Sequence, residues 1–421
     1  MAKKSTRKSS KSNDKVIKVG VLGVGRGQSF ASGAGEAVGM KLVALCDTWE
    51  ERLNQVGEKY GVATYTDFDK FLEHDMDAVV LANYFHEHAP FAIKAMKAGK
   101  HVMSETTAAK TMAECVELCR TVEKTGQTYM FAENYPFSLG CQEMRRLYQA
   151  GEIGNVRYAE GEYNHPGEED WRLSISPGEN HWRNWLPPTY YCSHALAPLM
   201  CATDTMPKRV ISLSIIEENA QSPATAKVSD NGAVILIRMD NGAVFRIWGL
   251  MMQSEHRVRY EMHGETGLIS SSFGDVRVHH EAFHRKANQR RNETYTPEWP
   301  EHGDLAKKAG HGGGDFWTNF HFANAIREGG QPYLNVYRGA AMSAVGILAW
   351  RSCLEEGVSM ELPDFTSEKE RKPFAKDHWS PFPADAGPGQ PAPSLRGYVA
   401  PGKKAMARAK RVWKRIGFKG E

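Results

Sequence analysis

The chain has 421 residues, which is enough for two domains that each bury a core of their own. With 41% hydrophobic and 24% charged residues it has the composition of an ordinary globular protein, and its net charge of +3 is unevenly spread. Residues 1–15 carry +5 and residues 401–421 carry +7, so the body between them carries −9. An acidic body argues against a nucleic-acid partner, because phosphate binding needs a basic face on the folded domain.

The two basic ends differ in pattern. Residues 1–15 have no apolar stretch behind them, so neither a signal peptide nor a membrane span is predicted, and a solvated tail is favoured over a binding arm. Residues 403–419 mix apolar and basic side chains, which predicts an amphipathic helix docked on its own body or on an acidic partner. Membrane contact is the less favoured alternative. We expect a cytoplasmic protein, with an exported form whose leader was replaced as the alternative.

Seven cysteines, an odd number mostly set in apolar runs, are typical of free thiols in a reducing compartment. Cys115 and Cys119 stand one helical turn apart, but no second pair of Cys or His residues accompanies them. No metal site is therefore predicted.

The first third of the chain alternates apolar strand-like runs with amphipathic helical segments. The strand-like runs are residues 16–22, 42–46, 78–82, 101–103 and 129–131. Capping signals predict helices between them, at Thr48 with Glu51 before Gly61, at residues 88–98 before Gly99, and at Thr111 with Glu114 before Gly126. Such alternation is typical of a parallel sheet covered by helices on both faces.

After about residue 150 strand-like runs are joined by turn dipeptides. Asn241-Gly242 between residues 234–239 and 244–248 is a strong hairpin signal. Further strands are predicted at residues 156–163, 210–217, 257–263 and 276–280. Two late helices, at about residues 316–328 and 338–356, are expected to cover one face of this antiparallel sheet.

Two segments lack periodicity. Residues 164–190 are rich in Pro, Gly and Trp, which is typical of a lid or binding loop. From Pro363 a Pro-rich segment is predicted to wrap around the body rather than to form a third domain.

A glycine pair, Gly23 and Gly25, ends the first strand and precedes a helical segment, as in the phosphate-binding turn of a Rossmann fold. A merely structural turn is the alternative for a glycine pair alone. Asp47 ends the next strand, where a carboxylate accepts hydrogen bonds from the adenosine ribose and repels the 2′-phosphate of NADP. NAD is therefore the predicted cofactor.

The turn departs from the usual fingerprint at its third position. Gln28 stands there, with Gly27 just before it. Arg26 could neutralise the pyrophosphate, and a surface arginine is an equal alternative.

Asn83, His88-Ala89-Pro90 and residues 98–105 resemble the glucose–fructose oxidoreductase/inositol dehydrogenase (Gfo/Idh/MocA) family. The resemblance implies an α/β protein, in which an N-terminal Rossmann fold is joined to a C-terminal α+β domain with a large open, mainly antiparallel sheet. It also implies cofactor contacts from Asn83, His88, Glu105 and Asn134.

We accordingly divide the chain into four parts. They are a basic tail (1–15), an NAD-binding Rossmann domain (16–134), a substrate and oligomerisation domain (135–375), and a Pro-rich arm with a basic tail (376–421).

Most members of that family continue from the glutamate with Lys-Pro, and the lysine assists proton removal from the substrate hydroxyl. Here the triplet is Glu105-Thr106-Thr107, so the lysine is missing. This departure argues against ordinary alcohol dehydrogenase chemistry.

Further segments resemble one branch of the family, the NAD-dependent glycosidases typified by bacterial α-N-acetylgalactosaminidases of glycoside hydrolase family 109. They are residues 111–115, 133–134, 159–163, 191–194 with Pro198, and 309–316. In that branch NAD⁺ takes hydride from the sugar 3-position, a base takes the 2-hydrogen, the aglycone leaves, water adds and the hydride returns. The resemblance implies a glycoside substrate and a cofactor that is not consumed.

Four residues match the active site of that branch. Tyr163, Tyr191 and His194 match its catalytic tyrosines and histidine, and Glu133 matches the carboxylate that grips the substrate. Tyr191 and His194 stand three apart, so a helical turn would place both on one face, where a phenol near an imidazole can be partly deprotonated and act as a base. Glu133 ends the sixth strand, at the edge where ligands bind. The alternatives are a core aromatic for Tyr163 and a satisfied core histidine for His194.

Further substrate contacts are predicted from the same resemblance. Arg172 and Arg183 both follow a tryptophan, and Arg183 is favoured because its spacing to Tyr191 fits better. Tyr190 is included beside Tyr191.

The glycine-rich loop before the first late helix carries two more candidates. His311 and Asp315 could hold sugar hydroxyls, and capping of the helix by Asp315 is an equal alternative. The branch usually has tyrosine where Phe316 stands, which argues against N-acetylgalactosamine itself as the substrate.

The leading interpretation is an NAD-dependent glycosidase that works by transient oxidation and elimination. An NAD-dependent sugar or cyclitol dehydrogenase with His194 as proton acceptor is the second, and a nucleotide-sensing or structural protein without turnover is the third. The resemblance also implies that the open sheet pairs with another subunit in a homodimer or homotetramer.

Overall fold

The computed structural model of the protein describes residues 16–33, 35–166, 170–216, 226–251, 255–272 and 274–419. The strands in these ranges are β1 (Ile17–Leu22), β2 (Met40–Cys46), β3 (Ala63–Tyr65), β4 (Ala78–Leu81), β5 (His101–Ser104), β6 (Tyr129–Phe131), β7 (Val156–Asn164), β8 (Pro207–Ser214), β9 (Ala233–Met239), β10 (Val244–Trp248), β11 (Arg257–Gly264), β12 (Gly267–Ser272), β13 (Asp275–His280), β14 (Asn292–Tyr295) and β15 (Met360–Glu361). The α-helices are α1 (Gln28–Gly33), α2 (Glu50–Tyr60), α3 (Phe68–Leu72), α4 (His88–Lys97), α5 (Met112–Thr125), α6 (Leu139–Gln149), α7 (Trp171–Ser174), α8 (Trp182–Trp185), α9 (Ser193–Thr203), α10 (Gly303–Ala306), α11 (Gly314–Glu328), α12 (Val336–Leu354), α13 (Glu368–Arg371) and α14 (Lys403–Arg415).

The first six strands form one parallel sheet in the order β3-β2-β1-β4-β5-β6. This is the strand order of a Rossmann fold, and the order reverses between β1 and β4. The predicted parallel sheet is therefore confirmed. Both β3 and α3 were missed, because three and five residues are too few to show a period.

The capping signals in this half had mixed outcomes. Thr111 caps α5 by accepting the amide hydrogen of Glu114, and Gly61 and Gly126 end their helices in the left-handed conformation, as predicted. The start predicted at Thr48 was wrong, because α2 begins at Glu50 and the preceding turn is instead closed by the Asp47 carboxylate.

The remaining strands form a nine-stranded sheet in the order β14-β13-β12-β11-β7-β10-β9-β8-β15. Its pairs are antiparallel except for β7 and β10, which run parallel at the centre. The hairpin predicted at Asn241-Gly242 is confirmed, since β9 and β10 pair across it and Gly242 has a φ of 86°. The large, mainly antiparallel sheet is thus confirmed.

The helices that cover this sheet are not all those expected. α6, α9 and α12 pack on it, and α12 is buried on nearly every side because α5 of the first half lies against its other face. α11 instead packs against α1 beside the nucleotide turn. The expectation that α11 covers the sheet was therefore wrong, and this helix connects the two halves of the molecule.

The segment after Pro363 wraps around the body, as predicted. Arg371 is buried between Glu123 of α5 and Glu368, Arg351 of α12 binds Asp377, and the indole of Trp350 donates to the carbonyl of Ala392. α14 also docks on the body of the protein, which is one of the two docking partners predicted for residues 403–419.

None of the helices in the described ranges is long and apolar enough to cross a membrane. All seven cysteines are buried and free. Within the same ranges no group of three or more His, Cys, Asp or Glu side chains is arranged to hold a metal ion.

Candidate active site

The carboxyl ends of four parallel strands meet along one edge of the first sheet. The glycine turn follows β1, Asn83 follows β4, Glu105 follows β5, and Glu133 with Asn134 follows β6. Because β1 and β4 are neighbours at the point where the strand order reverses, a crevice opens there, which is where open α/β sheets bind ligands.

The turn after β1 needs its glycines for different reasons. Gly23 has a φ of 96°, and a Cβ there would lie 2.5 Å from the carbonyl oxygen of Ala82. A Cβ on Gly27 would lie 2.0 Å from the carbonyl oxygen of Gly23, whereas one on Gly25 would meet nothing within 4 Å. Gly27 therefore supplies the close packing that the third fingerprint glycine usually provides, and Gly25 faces open space.

Asp47 lies at the end of β2, beside this turn. Its carboxylate accepts the amide hydrogens of Val24 at 2.7 Å and of Trp49 at 2.8 Å, and it is only partly buried. The side-chain amide of Gln28 donates to the carbonyl oxygen of Val24 at 2.8 Å, so Gln28 braces the turn from its other side. Hydrogen bonds with the side chains of Asp47 and Gln28 thus stabilise the turn.

Arg26 is held by two carboxylates of the protein. Its Nε lies 2.6 Å from Glu105, and its two terminal nitrogens lie 2.7 and 3.1 Å from the oxygens of Asp315 at the start of α11. Burial acts to raise the pKa of Asp315, but hydrogen bonds from His311 and Arg26 outweigh it and hold that pKa well below its usual range. Arg26 is therefore balanced by two carboxylates of the protein, and its contact with a pyrophosphate stays a prediction.

Asp315 also differs from its prediction. Its two oxygens accept from Arg26, from Asn134 at 2.9 Å and from His311 at 3.0 Å, and it makes no capping hydrogen bond to α11. The capping role is therefore corrected, because the carboxylate links α11 to the nucleotide turn, whereas its contact with sugar hydroxyls stays a prediction. His311 lies on its outer side with a side chain 40% exposed, close enough to the crevice to meet a ligand.

The three other predicted cofactor contacts divide into two kinds. The side-chain oxygens of Asn83 and Asn134 are buried without a hydrogen-bond partner among the described residues, so each is an acceptor available to a ligand. His88 is 1% exposed, and its Nδ1 lies 2.8 Å from the carbonyl oxygen of Thr107. His88 therefore braces the loop after β5, and its contact with the cofactor stays a prediction.

A carboxylate, an imidazole and a phenol form a chain in the centre of the molecule. Glu133 is completely buried, and its two oxygens lie 2.7 and 2.8 Å from Nδ1 of His194. Nε2 of His194 lies 3.2 Å from the hydroxyl of Tyr191. Because a carboxylate only accepts, Nδ1 carries the hydrogen and Nε2 is left as a lone pair that faces Tyr191.

The local backbone explains this chain. A 3-10 helix at Pro188–Tyr191 is followed directly by α9, so Tyr191 and His194 stand one turn apart on the same side, as their spacing predicted. α9 packs on β7, which brings Tyr163 to the same place, with its ring centroid 4.7 Å from that of His194.

Tyr135 was missed by the sequence reasoning. Its ring lies 4.7 Å from His194 and 5.4 Å from Tyr163, and its amide donates to Glu133 at 3.3 Å. The signal was its position two residues after Glu133, at the same carboxyl edge of the sheet.

Burial governs the protonation of the tyrosines. It raises the pKa of Tyr191, with the charge of Arg183 acting in the opposite direction, and it raises the pKa of Tyr163 well above its usual value. Both phenols therefore carry their protons at neutral pH. This argues against the partly deprotonated Tyr191 expected from the sequence, since burial outweighs the charge of Arg183.

The 170–186 loop brings both candidate arginines to this cluster. The guanidinium of Arg183 lies 4.2 Å from the Trp182 ring and 5.7 Å from the Tyr191 ring. Arg172 donates to the carbonyl oxygen of His165 at 2.8 Å, and burial together with the charge of Arg183 lowers the pKa of Arg172 to about 10. Only Arg183 was favoured from sequence, whereas the structure places both beside the cluster.

Tyr190 lies apart from the cluster. It is 1% exposed, and its hydroxyl is directed to the carbonyl oxygen of Lys110 at 3.3 Å. Successive residues of the 3-10 helix point to different sides, so Tyr190 and Tyr191 have different neighbours, and the contact of Tyr190 with substrate stays a prediction.

Three protein-family models match this chain. Residues 17–133 match the oxidoreductase family NAD-binding Rossmann fold, residues 141–270 the GFO/IDH/MocA C-terminal domain, and residues 215–372 the glycosyl hydrolase 109 C-terminal domain. The models together cover both sheets and the crevice between them.

Two relatives have similar sequences over most of their length. A glycosyl hydrolase family 109 protein of Solibacter usitatus is 29% identical over 400 residues, which covers 84% of this chain and 89% of the relative. An α-N-acetylgalactosaminidase of Tannerella forsythia is 26% identical over 419 residues, which covers 87% and 89%.

Two solved structures share the fold. An oxidoreductase domain protein from Kribbella flavida superposes with a TM-score of 0.71 at 21% identity, covering 83% of this chain and 100% of that one. Levoglucosan dehydrogenase in complex with NADH superposes with a TM-score of 0.70 at 20% identity, covering 83% and 99%. The Rossmann strand order, the large second sheet and the three matched models agree: the chain belongs to the Gfo/Idh/MocA oxidoreductase family, with a C-terminal domain of the glycosyl hydrolase 109 type.

Proposed function

We propose that this protein is an NAD-dependent glycosidase that oxidises a sugar transiently and releases its aglycone by elimination. The observation that carries the proposal is the buried chain Glu133–His194–Tyr191, which can move a proton at a site that has no Lys-Pro after Glu105. The relatives named as family 109 glycosidases support the reaction class.

The crevice fits NAD. Gly25 leaves room for a pyrophosphate, and Asp47 can accept hydrogen bonds from a ribose. The buried side-chain oxygens of Asn83 and Asn134 can accept further hydrogen bonds from the cofactor. When bound, NAD supplies the acceptor for a hydride and returns that hydride at the end of the cycle. Asp47 disfavours the 2′-phosphate of NADP.

Proton movement is the task of the buried chain. As a substrate proton passes to the oxygen of Tyr191, the phenolic proton passes to Nε2 of His194, and Glu133 stabilises the imidazolium that forms. Such a relay does not need a resident phenolate, which suits a tyrosine whose pKa burial has raised. It can take the proton of the sugar 3-hydroxyl and, after that proton has been released to water, the acidified hydrogen at the 2-position.

The remaining side chains hold the sugar and supply an acid. Tyr163, which keeps its proton, faces His194 and can donate to the departing oxygen. Arg172 and Arg183 form the side of the pocket contributed by the 170–186 loop, and His311 contributes the opposite side through Tyr135. The rings of Tyr135, Tyr163 and Tyr191 all lie against the imidazole of His194 and supply apolar surface for the sugar.

A sugar dehydrogenase is the second candidate. It is favoured by one observation, the pair of Glu133 and His194, because an oriented imidazole can by itself accept a hydroxyl proton. The structural likeness to levoglucosan dehydrogenase is compatible with it.

One experiment separates the two candidates. Purified protein with NAD is incubated in D₂O with a panel of nitrophenyl glycosides, and nitrophenol, NADH absorbance and deuterium at the sugar 2-position are measured. The glycosidase releases nitrophenol, exchanges the 2-hydrogen and accumulates no NADH. Steady NADH formation without nitrophenol release from any glycoside would overturn the proposal and support the dehydrogenase.

A further inference from the structure

The C-terminal helix α14 is packed against the loop that carries the two candidate arginines. Its buried side chains Ala409, Val412 and Trp413 form a small separate core with Leu173 and Ala226. The indole of Trp413 donates to the carbonyl oxygen of Leu173 at 2.9 Å. This core contains no residue of the main core, so α14 and the 170–186 loop stabilise each other locally.

Ion pairs fix the same contact. Asp170, directly before α7, accepts from Arg408 at 3.0 Å and from Arg415 at 2.9 Å, and these hydrogen bonds lower the pKa of Asp170. Lys410 lies 3.0 Å from Glu179 farther along the loop. Three cations of α14 thus hold two acidic residues of the loop.

The residues that follow α14 reach the nucleotide half. The ring of Phe418 meets that of Trp49 edge-on at 5.9 Å, and Lys419 pairs with Glu51. Trp49 is the residue whose amide donates to Asp47. The C-terminal segment therefore spans from the predicted ribose site to the 170–186 loop.

One short helix of the loop, α7, contacts α14 on one side and faces the active site on the other. In α7, Leu173 turns to Trp413 while Arg172 turns to His165. Asn184 donates to the carbonyl oxygens of Ser176 and Gly178 at 3.3 and 2.8 Å, which connects α7 to Arg183. The loop is therefore one hydrogen-bonded unit, and a contact that fixes α7 also fixes Arg183.

We propose that α14 positions the substrate pocket: Trp413, Arg408 and Arg415 hold the 170–186 loop so that Arg172 and Arg183 face Tyr163 and Tyr191. These are positioning residues, since none of them touches the catalytic chain. The last of the three matched family models ends at residue 372, so α14 lies outside all of them, whereas the 170–186 loop lies within the GFO/IDH/MocA C-terminal domain model. Its effect on substrate binding rests on the proposed function, whereas its effect on the order of the loop does not.

Two variants test the proposal, W413A and the double variant R408A/R415A. K404A/R411A is the matched control, because both side chains are exposed on α14 and make no ion pair with the described residues. Hydrogen–deuterium exchange of residues 170–186 is measured first, without substrate. We expect exchange of residues 170–186 to become at least tenfold faster in both variants and to stay unchanged in the control. In W413F, which keeps an aromatic ring at this position, exchange should be as slow as in wild type.

Steady-state kinetics then report on the pocket. We expect a KM for glycoside raised about tenfold in R408A/R415A, with kcat and the NAD dissociation constant each within threefold of wild type. Unchanged exchange in R408A/R415A overturns the proposal, and this variant decides the matter if W413A does not fold. If exchange is faster but the protein releases no aglycone, the glycosidase assignment is overturned and the positioning role stands. If exchange is faster but KM is unchanged, α14 has no role in the substrate pocket.

Discussion

Glu133 is the residue on which the proposed chemistry depends. A fully buried carboxylate is costly unless it is hydrogen-bonded, and here Nδ1 of His194 and the amide of Tyr135 satisfy it. The carboxylate in turn decides which nitrogen of His194 carries the hydrogen. Burial of this carboxylate therefore lowers folding stability, but it fixes the orientation of His194, which an uncharged core residue would not do.

Replacing Glu133 by glutamine tests this role. The amide cannot stabilise an imidazolium, and we expect E133Q to lower kcat for glycosides by about 10²- to 10³-fold. The NAD dissociation constant, measured by fluorescence titration, should stay within threefold, because Glu133 is not among the residues proposed to hold the cofactor. E143Q makes the same change on α6, where Glu143 pairs with Arg146, and serves as the control. Activity of E133Q within threefold of wild type contradicts the relay.

The glycine turn offers a second test at the same scale. G27A forces a Cβ to 2.0 Å from the Gly23 carbonyl oxygen, so we expect a loss of about 2 kcal/mol in the free energy of unfolding. G25A meets no atom within 4 Å, so its stability should equal that of wild type while its NAD dissociation constant rises at least tenfold. Denaturant unfolding and NAD titration of both variants check this. Undiminished NAD affinity in G25A would place the pyrophosphate elsewhere.

Helix α5 shows how a local signal and its tertiary surroundings combine. Thr111 caps the helix as predicted, and the Glu114 carboxylate accepts the amide hydrogen of Lys110, the residue before the cap, at 2.8 Å. Burial raises the pKa of Glu114 to about 7, against the effect of hydrogen bonds and the charge of Lys110. The packing around the cap therefore favours its protonated form.

This raised pKa predicts a dependence of stability on pH. The folded state binds a proton more tightly than the unfolded state, so stability is fully present below the ordinary glutamate pKa of about 4.3 and is lost as the pH rises to about 7. In E114Q this loss should be absent, which makes the variant about 1 to 3 kcal/mol more stable than wild type at pH 8 and similar at pH 4.5.

Urea unfolding at both pH values measures the difference. E117Q, an exposed change on the same helix, should stay within about 0.5 kcal/mol of wild type at each pH. Equal stability of E114Q and wild type at pH 8 would show that the Glu114 carboxylate is not penalised by its burial.

Short elements escaped the sequence reasoning for a common reason. β3 has three residues and β15 has two, and each exists because a neighbouring strand offers free backbone groups. β14 is four mostly exposed polar residues added to the edge of the second sheet. A run of two to four residues has no detectable period, so whether it forms a strand depends on the adjacent strand with which it pairs.

At the scale of the whole molecule, strands β8 and β9 of the nine-stranded sheet leave apolar side chains exposed among the described residues. β9 alternates buried and exposed residues, and Val234 and Leu236 lie on its exposed side. Leu213 of β8, paired with Val234, is 62% exposed. An apolar strip on an open sheet supports the prediction that the chain forms a homodimer or homotetramer.

Light scattering tests that prediction. We expect wild-type protein to elute as a dimer or tetramer at micromolar concentration and L236K to elute at a lower mass, because a lysine on this face cannot be buried in a pair. F283K replaces another exposed apolar side chain, in the turn after β13, and should leave the mass unchanged. A monomeric wild type, or dissociation by F283K alone, contradicts the prediction.

The sequence by itself determined the Rossmann half and its cofactor edge. Parallel strands buried on both faces, glycines at left-handed positions and a carboxylate at the end of β2 are each imposed by local backbone and hydrophobic requirements, so they are visible in the order of residues. The hairpin at Asn241-Gly242 was visible for the same reason.

Only the tertiary structure decided which side chains share the site. It separated Tyr190 from Tyr191, added Tyr135 and Arg172, and used the charge of Arg26 for two carboxylates of the protein. It also placed α11 on the nucleotide turn and α14 on the 170–186 loop. These outcomes depend on burial, on protonation and on contacts between residues far apart in the chain, none of which leaves a period or a spacing in the sequence.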